Sequence, residues 1–111
     1  MTVEQANVID FASIDRASDD LWLTISDHLP WEEMEGEHLV LLQNKLNAYL
    51  GAIESGEIFS KVPAARGRNI VIDIFAKFPP SPTANLFLQK ARAFIEDAGF
   101  RLQYRHQSPR D

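Results

Sequence analysis

The sequence predicts an α+β domain: a two-layer α/β sandwich in which a four-stranded mixed sheet carries two helices on one face. Three observations predict it. Leu39, Leu42, Leu46, Tyr49, Leu50 and Ile53 recur at steps of three and four, the stripe of a helix that needs an apolar layer to lie on. Leu21, Leu23 and Ile25 alternate with Trp22, Thr24 and Ser26, the period of a strand with one buried face. The signals run strand, strand, helix, strand, helix, strand, with an apolar side on each element, and such a set packs as two layers. A chain of 111 residues fits one domain, with frayed ends expected at about residues 1–6 and 107–111.

Each element has its own signal. Val8 to Ile14 reads as the first strand, with Ile9 and Phe11 on one face and Asp10 on the other. Arg16-Ala17-Ser18-Asp19 is a turn cluster, so the first two strands read as an antiparallel hairpin. Asp27 to Gly36 is a loop. The long helix spans His38 to Ser55; Glu32, Glu33, Glu35 and Glu37 suit its positive end, and Gly56 suits its left-handed cap. Glu57 to Arg68 is a second irregular stretch in which Ile58, Phe59 and Val62 tuck under the helix, and Pro63 and Gly67 oppose regularity. Its length flags a functional loop. Asn69 to Phe78 is the strongest strand, its β-branched density suiting a central position. Ile70, Ile72, Ile74 and Ala76 share one of its faces; Val71, Asp73, Phe75 and Lys77 share the other. Pro79-Pro80 stops it, Ser81 caps a second helix with Pro82 at the first position, and Phe87, Ala91, Phe94, Ile95 and Ala98 form that helix's stripe. Gly99 ends it, and Phe100 to Arg105 is the last strand, parallel to the third through a helical crossover.

Composition narrows the chemistry. The chain has no cysteine, which excludes disulfides, thiolate metal sites and a cysteine nucleophile. No apolar run approaches the roughly 18 residues that span a bilayer, and the amino terminus lacks a secretory pattern, so a cytoplasmic protein without membrane contact is expected. The net charge of −5 is uneven. Residues 1–57 carry twelve acidic and two basic residues, while residues 58–111 carry nine basic and four acidic ones. Such a dipole either offsets within the fold or steers a charged partner.

The segments Leu23 to Leu29 with Trp31, Leu41-Leu42-Gln43 with Lys45 to Leu50 and Ile53 to Gly56, and Ile70-Val71-Ile72 with Lys77 to Pro80 resemble a family of small bacterial proteins catalogued only as a domain of unknown function. The resemblance covers most of residues 7–104. It implies a stand-alone soluble domain and supplies no activity, cofactor or site residues.

Three groups of residues invite a chemical reading. Ser26-Asp27-His28 places a hydroxyl, a carboxylate and an imidazole in sequence, but neighbours in an extended chain point to opposite sides and form no relay alone. Asp27 is better read as turning the chain through its own backbone, with Leu29 and Trp31 anchoring the loop. Glu35 and His38 have the i, i+3 spacing of carboxylate-bridged metal sites, yet the further ligands are missing, so no metal and no cofactor are assigned. Arg66-Gly67-Arg68, with Lys61, Arg101 and Arg105, would suit an anion, while overall acidity and the lack of a glycine-rich phosphate loop argue against nucleic acid.

The uncovered face of the sheet presents Trp22, Val71 and Phe75, with Asp73, Arg101 and Arg105 around them. An aromatic, arginine-rich centre with a charged rim is the composition of a protein–protein interface. The ordinary alternative is cross-strand packing of the rings on arginine stems. The function expected first is therefore a non-enzymatic interaction module, forming a homodimer or meeting another protein partner through that face. The alternative is a small enzyme or anionic-ligand-binding domain with its site between loops 27–31 and 57–68, using His28, Arg66 and Arg68.

Overall fold

The structure is a computed structural model that describes residues 11–32 and 34–106. The elements are β1 (Phe11–Ile14), β2 (Leu21–Asp27), α1 (Glu35–Ser55), α2 (Glu57–Lys61), a 3-10 turn (Pro63–Ala65), β3 (Ile70–Ala76), α3 (Pro82–Asp97) and β4 (Arg101–His106). The sheet order is β1-β2-β3-β4, with β1 antiparallel to β2 and the other neighbours parallel. The expected α+β class, hairpin and parallel third and fourth strands are all present. The acidic and basic halves of the sequence thus lie side by side across the sheet.

One face of the sheet is covered. Leu21, Leu23 and Ile25 of β2, Ile70, Ile72 and Ile74 of β3 and Leu102 of β4 form one core with Leu42, Leu46, Tyr49, Leu50 and Ile53 of α1 and Ala84, Leu88 and Ile95 of α3. Both helices lie on this side. The α1 stripe also contains His38, Lys45 and Ala52, all buried. Gly56 caps α1 at φ +83°, a conformation glycine adopts without a Cβ clash. The Ser81 hydroxyl caps α3 by accepting from the Ala84 amide at 3.1 Å.

Several expectations are corrected. The stretch 57–68 is not irregular: the glycine reverses the chain before α2, and Pro63 follows α2 instead of interrupting it. Ile58 is fully buried there and Phe59 and Val62 pack on the core, as anticipated. Helix α1 begins at Glu35, so the preceding loop is shorter than the sequence suggests. The α3 stripe is Ala84, Leu88 and Ile95 flanked by Phe87 and Ala91, while Phe94 is 69% exposed. Adjacent helical residues differ by about 100°, so Phe94 and Ile95 do not share an inward direction. Ala98, the C-cap of α3, is exposed. In β1, Phe11 pairs with Thr24 and stands on the uncovered face, not in the core; Ile9 and Asp10 lie outside the described residues.

Candidate functional site

The strand register builds the uncovered face in rows. Trp22, Val71 and Arg101 form one row across β2, β3 and β4; Thr24, Asp73 and Gln103 form the next, extended by Phe11 in β1; Ser26, Phe75 and Arg105 form the third. Among the described residues no helix covers these rows, yet Asp73 is completely buried. Its roof is Arg105. The guanidinium donates from Nε to Asp73 Oδ1 at 2.9 Å and from Nη2 to Oδ2 at 2.5 Å, and Thr24 Oγ1 donates to Oδ2 at 3.1 Å. The same guanidinium lies 4.9 Å from the Phe75 ring centroid and 5.5 Å from that of Trp22. Hydrogen bonding to Asp73 raises the Arg105 pKa above its ordinary value, against the opposing effect of burial. A bidentate fork held by two rings is a fixed cation, unlike a solvated surface arginine.

Trp22, Asp73, Phe75 and Arg105 are therefore in contact. Val71 is buried next to Trp22 in the same row, and Arg101 is exposed beside it. The rings pack on arginine, as ordinary cross-strand pairing requires, and still leave Phe75 43% and Phe11 60% exposed. The sequence reading missed Phe11, whose phase along β1 was inverted, and the Thr24 donor.

A second cluster sits at the carboxyl ends of the parallel strands. Asp27, the last residue of β2, is buried on the helix side and meets His38 in the first turn of α1. His38 Nε2 lies 2.7 Å from Oδ1 and 2.6 Å from Oδ2 of Asp27, and Nδ1 lies 3.2 Å from the Pro30 carbonyl. Both ring nitrogens of His38 thus face oxygen atoms, one on the Asp27 carboxyl and one on the Pro30 carbonyl. Trp31 stacks on the imidazole at 3.5 Å between centroids and 18° between planes. The Leu29 amide donates to Asp27 Oδ1 at 3.2 Å, the turn anticipated for Asp27.

Tyr104 on β4 lies near this cluster and donates to the Phe78 carbonyl at 2.9 Å. Burial pushes its pKa up to about 12; the Trp31 N–H opposes that rise and the Asp27 charge adds to it. The partnership of Asp27 with His38 was readable in principle. The β2 alternation continues inward to Asp27, and His38 stands one turn before Leu42 on the α1 stripe.

The other predicted residues are not brought together. His28 follows the carboxyl end of β2, is exposed, and is not the imidazole that Asp27 binds. Arg66 and Arg68 precede β3, whose start pairs with the start of β2, so they lie at the opposite edge of the sheet. Seven strand residues separate the two edges by about 20 Å. Arg66 stacks on Phe59 at 5.0 Å, and Arg68 pairs with Asp19 at 2.6 Å while donating to the Ala64 and Asp19 carbonyls. Arg68 thus fastens the hairpin turn. His38 faces Asp27 instead of forming a metal pair with Glu35, and among the described residues no three His, Asp or Glu side chains converge.

A family model matches residues 1–108, and its description reads family of unknown function (DUF6572). The chain belongs to this family. The resemblance seen in residues 7–104 therefore extends over nearly the whole sequence. No curated protein and no solved structure matches the chain. Among the described residues no helix is long and apolar enough to cross a membrane.

Proposed function

We propose that this chain is a non-enzymatic protein-interaction module that self-associates through the uncovered face of its sheet. The observation that carries the reading is the fixed Arg105 cation, set between Trp22 and Phe75 over a buried Asp73, with Phe75 and Phe11 still exposed beside it. Aromatic and arginine groups already immobilised lose little side-chain entropy on binding, which is what interface hot spots require.

A second copy is the partner that fits this face. A two-fold axis along the strands, between β2 and β3, lays β1 of one copy over β4 of the other. Phe11 of each copy then meets the Arg101 and Arg105 side of its partner, and the Trp22 and Phe75 rings meet at the centre. The same operation sets the acidic half of each chain toward the basic half of the other. Four strands at about 4.8 Å spacing and about 23 Å length offer roughly 400 Å² of flat area, below the ~800 Å² per partner of a standard interface. The association is therefore weak and concentration-dependent.

The test is the pair of substitutions Phe11→Lys and Phe75→Lys, which add charge at exposed positions and replace neither Asp73 nor Arg105. Expected is loss of the dimer with unchanged folding. Association that persists in the double variant rejects this surface.

A further inference from the structure

Among the described residues, two hollows open at the carboxyl edge of the parallel strands. One, of about 530 Å³, lies between the Pro30–Glu32 loop and the Phe78–Pro82 turn and is mostly apolar. The other, of about 220 Å³, lies between α3 and β4 and is mostly polar. Its wall follows from periodicity. Asn85, Leu88, Gln89 and Arg92 stand at i, i+3, i+4 and i+7 of α3, and Tyr104 and His106 stand two apart on β4. One helix stripe thus faces one strand side, and the stripe ends on an arginine.

We propose that this hollow binds the phosphoryl group of a small molecule. Arg92 donates from Nε to the Leu102 carbonyl at 3.3 Å, which anchors the guanidinium at the hollow. It makes no ion pair among the described residues, so its terminal nitrogens keep their charge-assisted donors. Asn85 and Gln89 add carboxamide donors and His106 an imidazole, and among the described residues no carboxylate lines the site. In a chain of net charge −5, a lining of one cation and neutral donors without an acid is selective for anions. Donors arriving from both a helix and a strand suit a tetrahedral oxyanion better than a planar carboxylate. The volume is below the roughly 300–1,000 Å³ of a drug-sized pocket, so it seats one group and not a whole cofactor. Tyr104, whose hydroxyl is held on Phe78, stays neutral there and repels no anion.

The experiment is a titration of the full chain with inorganic phosphate, followed by backbone amide shifts. Acetate and sodium chloride at matched ionic strength are the comparison arms. Expected are saturable shifts confined to residues 85–92 and 102–106, a weaker response to acetate, and none to chloride. Arg92→Gln weakens binding by at least about tenfold, the worth of one charge-assisted hydrogen bond. Gln89→Glu, which spares the Arg92 anchor, weakens it as well, and Arg66→Gln at the far edge leaves it unchanged. Non-saturable shifts, equal shifts with chloride, or unaltered binding in Arg92→Gln and Gln89→Glu would overturn the site. Tighter binding of acetate than of phosphate would overturn the phosphoryl assignment.

Discussion

Replacing Arg105 by methionine keeps an unbranched stem against Trp22 and Phe75 and deletes the guanidinium. Asp73, fully buried, then loses two charge-assisted hydrogen bonds and retains, among the described residues, the Thr24 hydroxyl. Orphaning one member of a buried ion pair costs roughly 3–5 kcal/mol. The Arg105 side chain is 45% exposed, however, so water reaches Asp73 once the guanidinium is gone. Part of the pair's worth is already screened at such a site, which brings the expected loss to about 2 kcal/mol. With a urea slope of about 1.5 kcal/mol per molar, the unfolding midpoint falls by about 1.3 M. Asp73→Asn, measured alone and combined with Arg105→Met, completes a double-mutant cycle, and the coupling should be at least about 1 kcal/mol. Arg105→Lys should recover only part of the loss, because an ammonium cannot reproduce the planar fork. A coupling below about 0.3 kcal/mol would show that Arg105 does not hold Asp73, and the preorganised platform would lose its basis.

Three further outcomes are expected. Asp27→Ala leaves His38 Nε2 buried without its partner and should cost about 3 kcal/mol, while Asp27→Asn keeps an acceptor and should cost less; urea unfolding separates them. Tyr104 has a folded pKa of about 12 against an ordinary 10.0, so its contribution is fully present below pH 10.0 and is lost as pH rises toward about 12. The unfolded chain releases that proton first, which sets the sign; Tyr104→Phe should remove this alkaline component of the stability profile. Gly56→Ala forces a Cβ into a left-handed cap at φ +83° and should lower the thermal midpoint by the equivalent of about 1 kcal/mol.

Much of the fold was legible because burial in a two-layer protein is periodic. The alternation of β2 and β3, the α1 stripe and the Ser81-Pro82 cap each gave the observed element. Some of the errors are errors of phase, which is weakly specified where a segment is short or apolar on several sides. Four described residues of β1 do not reveal which side Phe11 takes; the register Phe11↔Thr24 decides it. In α3, small and large apolar residues crowd three sides, and contact with β4 selects Ala84, Leu88 and Ile95 over Phe94. The candidate sites divide in the same way. Trp22, Asp73, Phe75 and Arg105 share a face by parity, so their meeting could be read from the strands. The pairing of Asp27 with His38 links the last residue of a strand to the first turn of a helix across a ten-residue gap. Each position lies on the inward period of its own element, but no pattern couples the two elements, and a histidine or an aspartate at an apolar position is easily assigned to the flanking loop. The separation of His28 from Arg66 and Arg68 depends on strand direction, which hydrophobic pattern does not encode.

The central claim is self-association through the uncovered face, and the most direct measurement is absolute mass in solution across a wide concentration range. The account predicts a mass that rises with concentration from the 12.6 kDa of one chain toward twice that value, and that stays at one chain in the Phe11→Lys, Phe75→Lys variant. A mass fixed at one chain at every concentration, or a dimer that the double variant leaves intact, would contradict it.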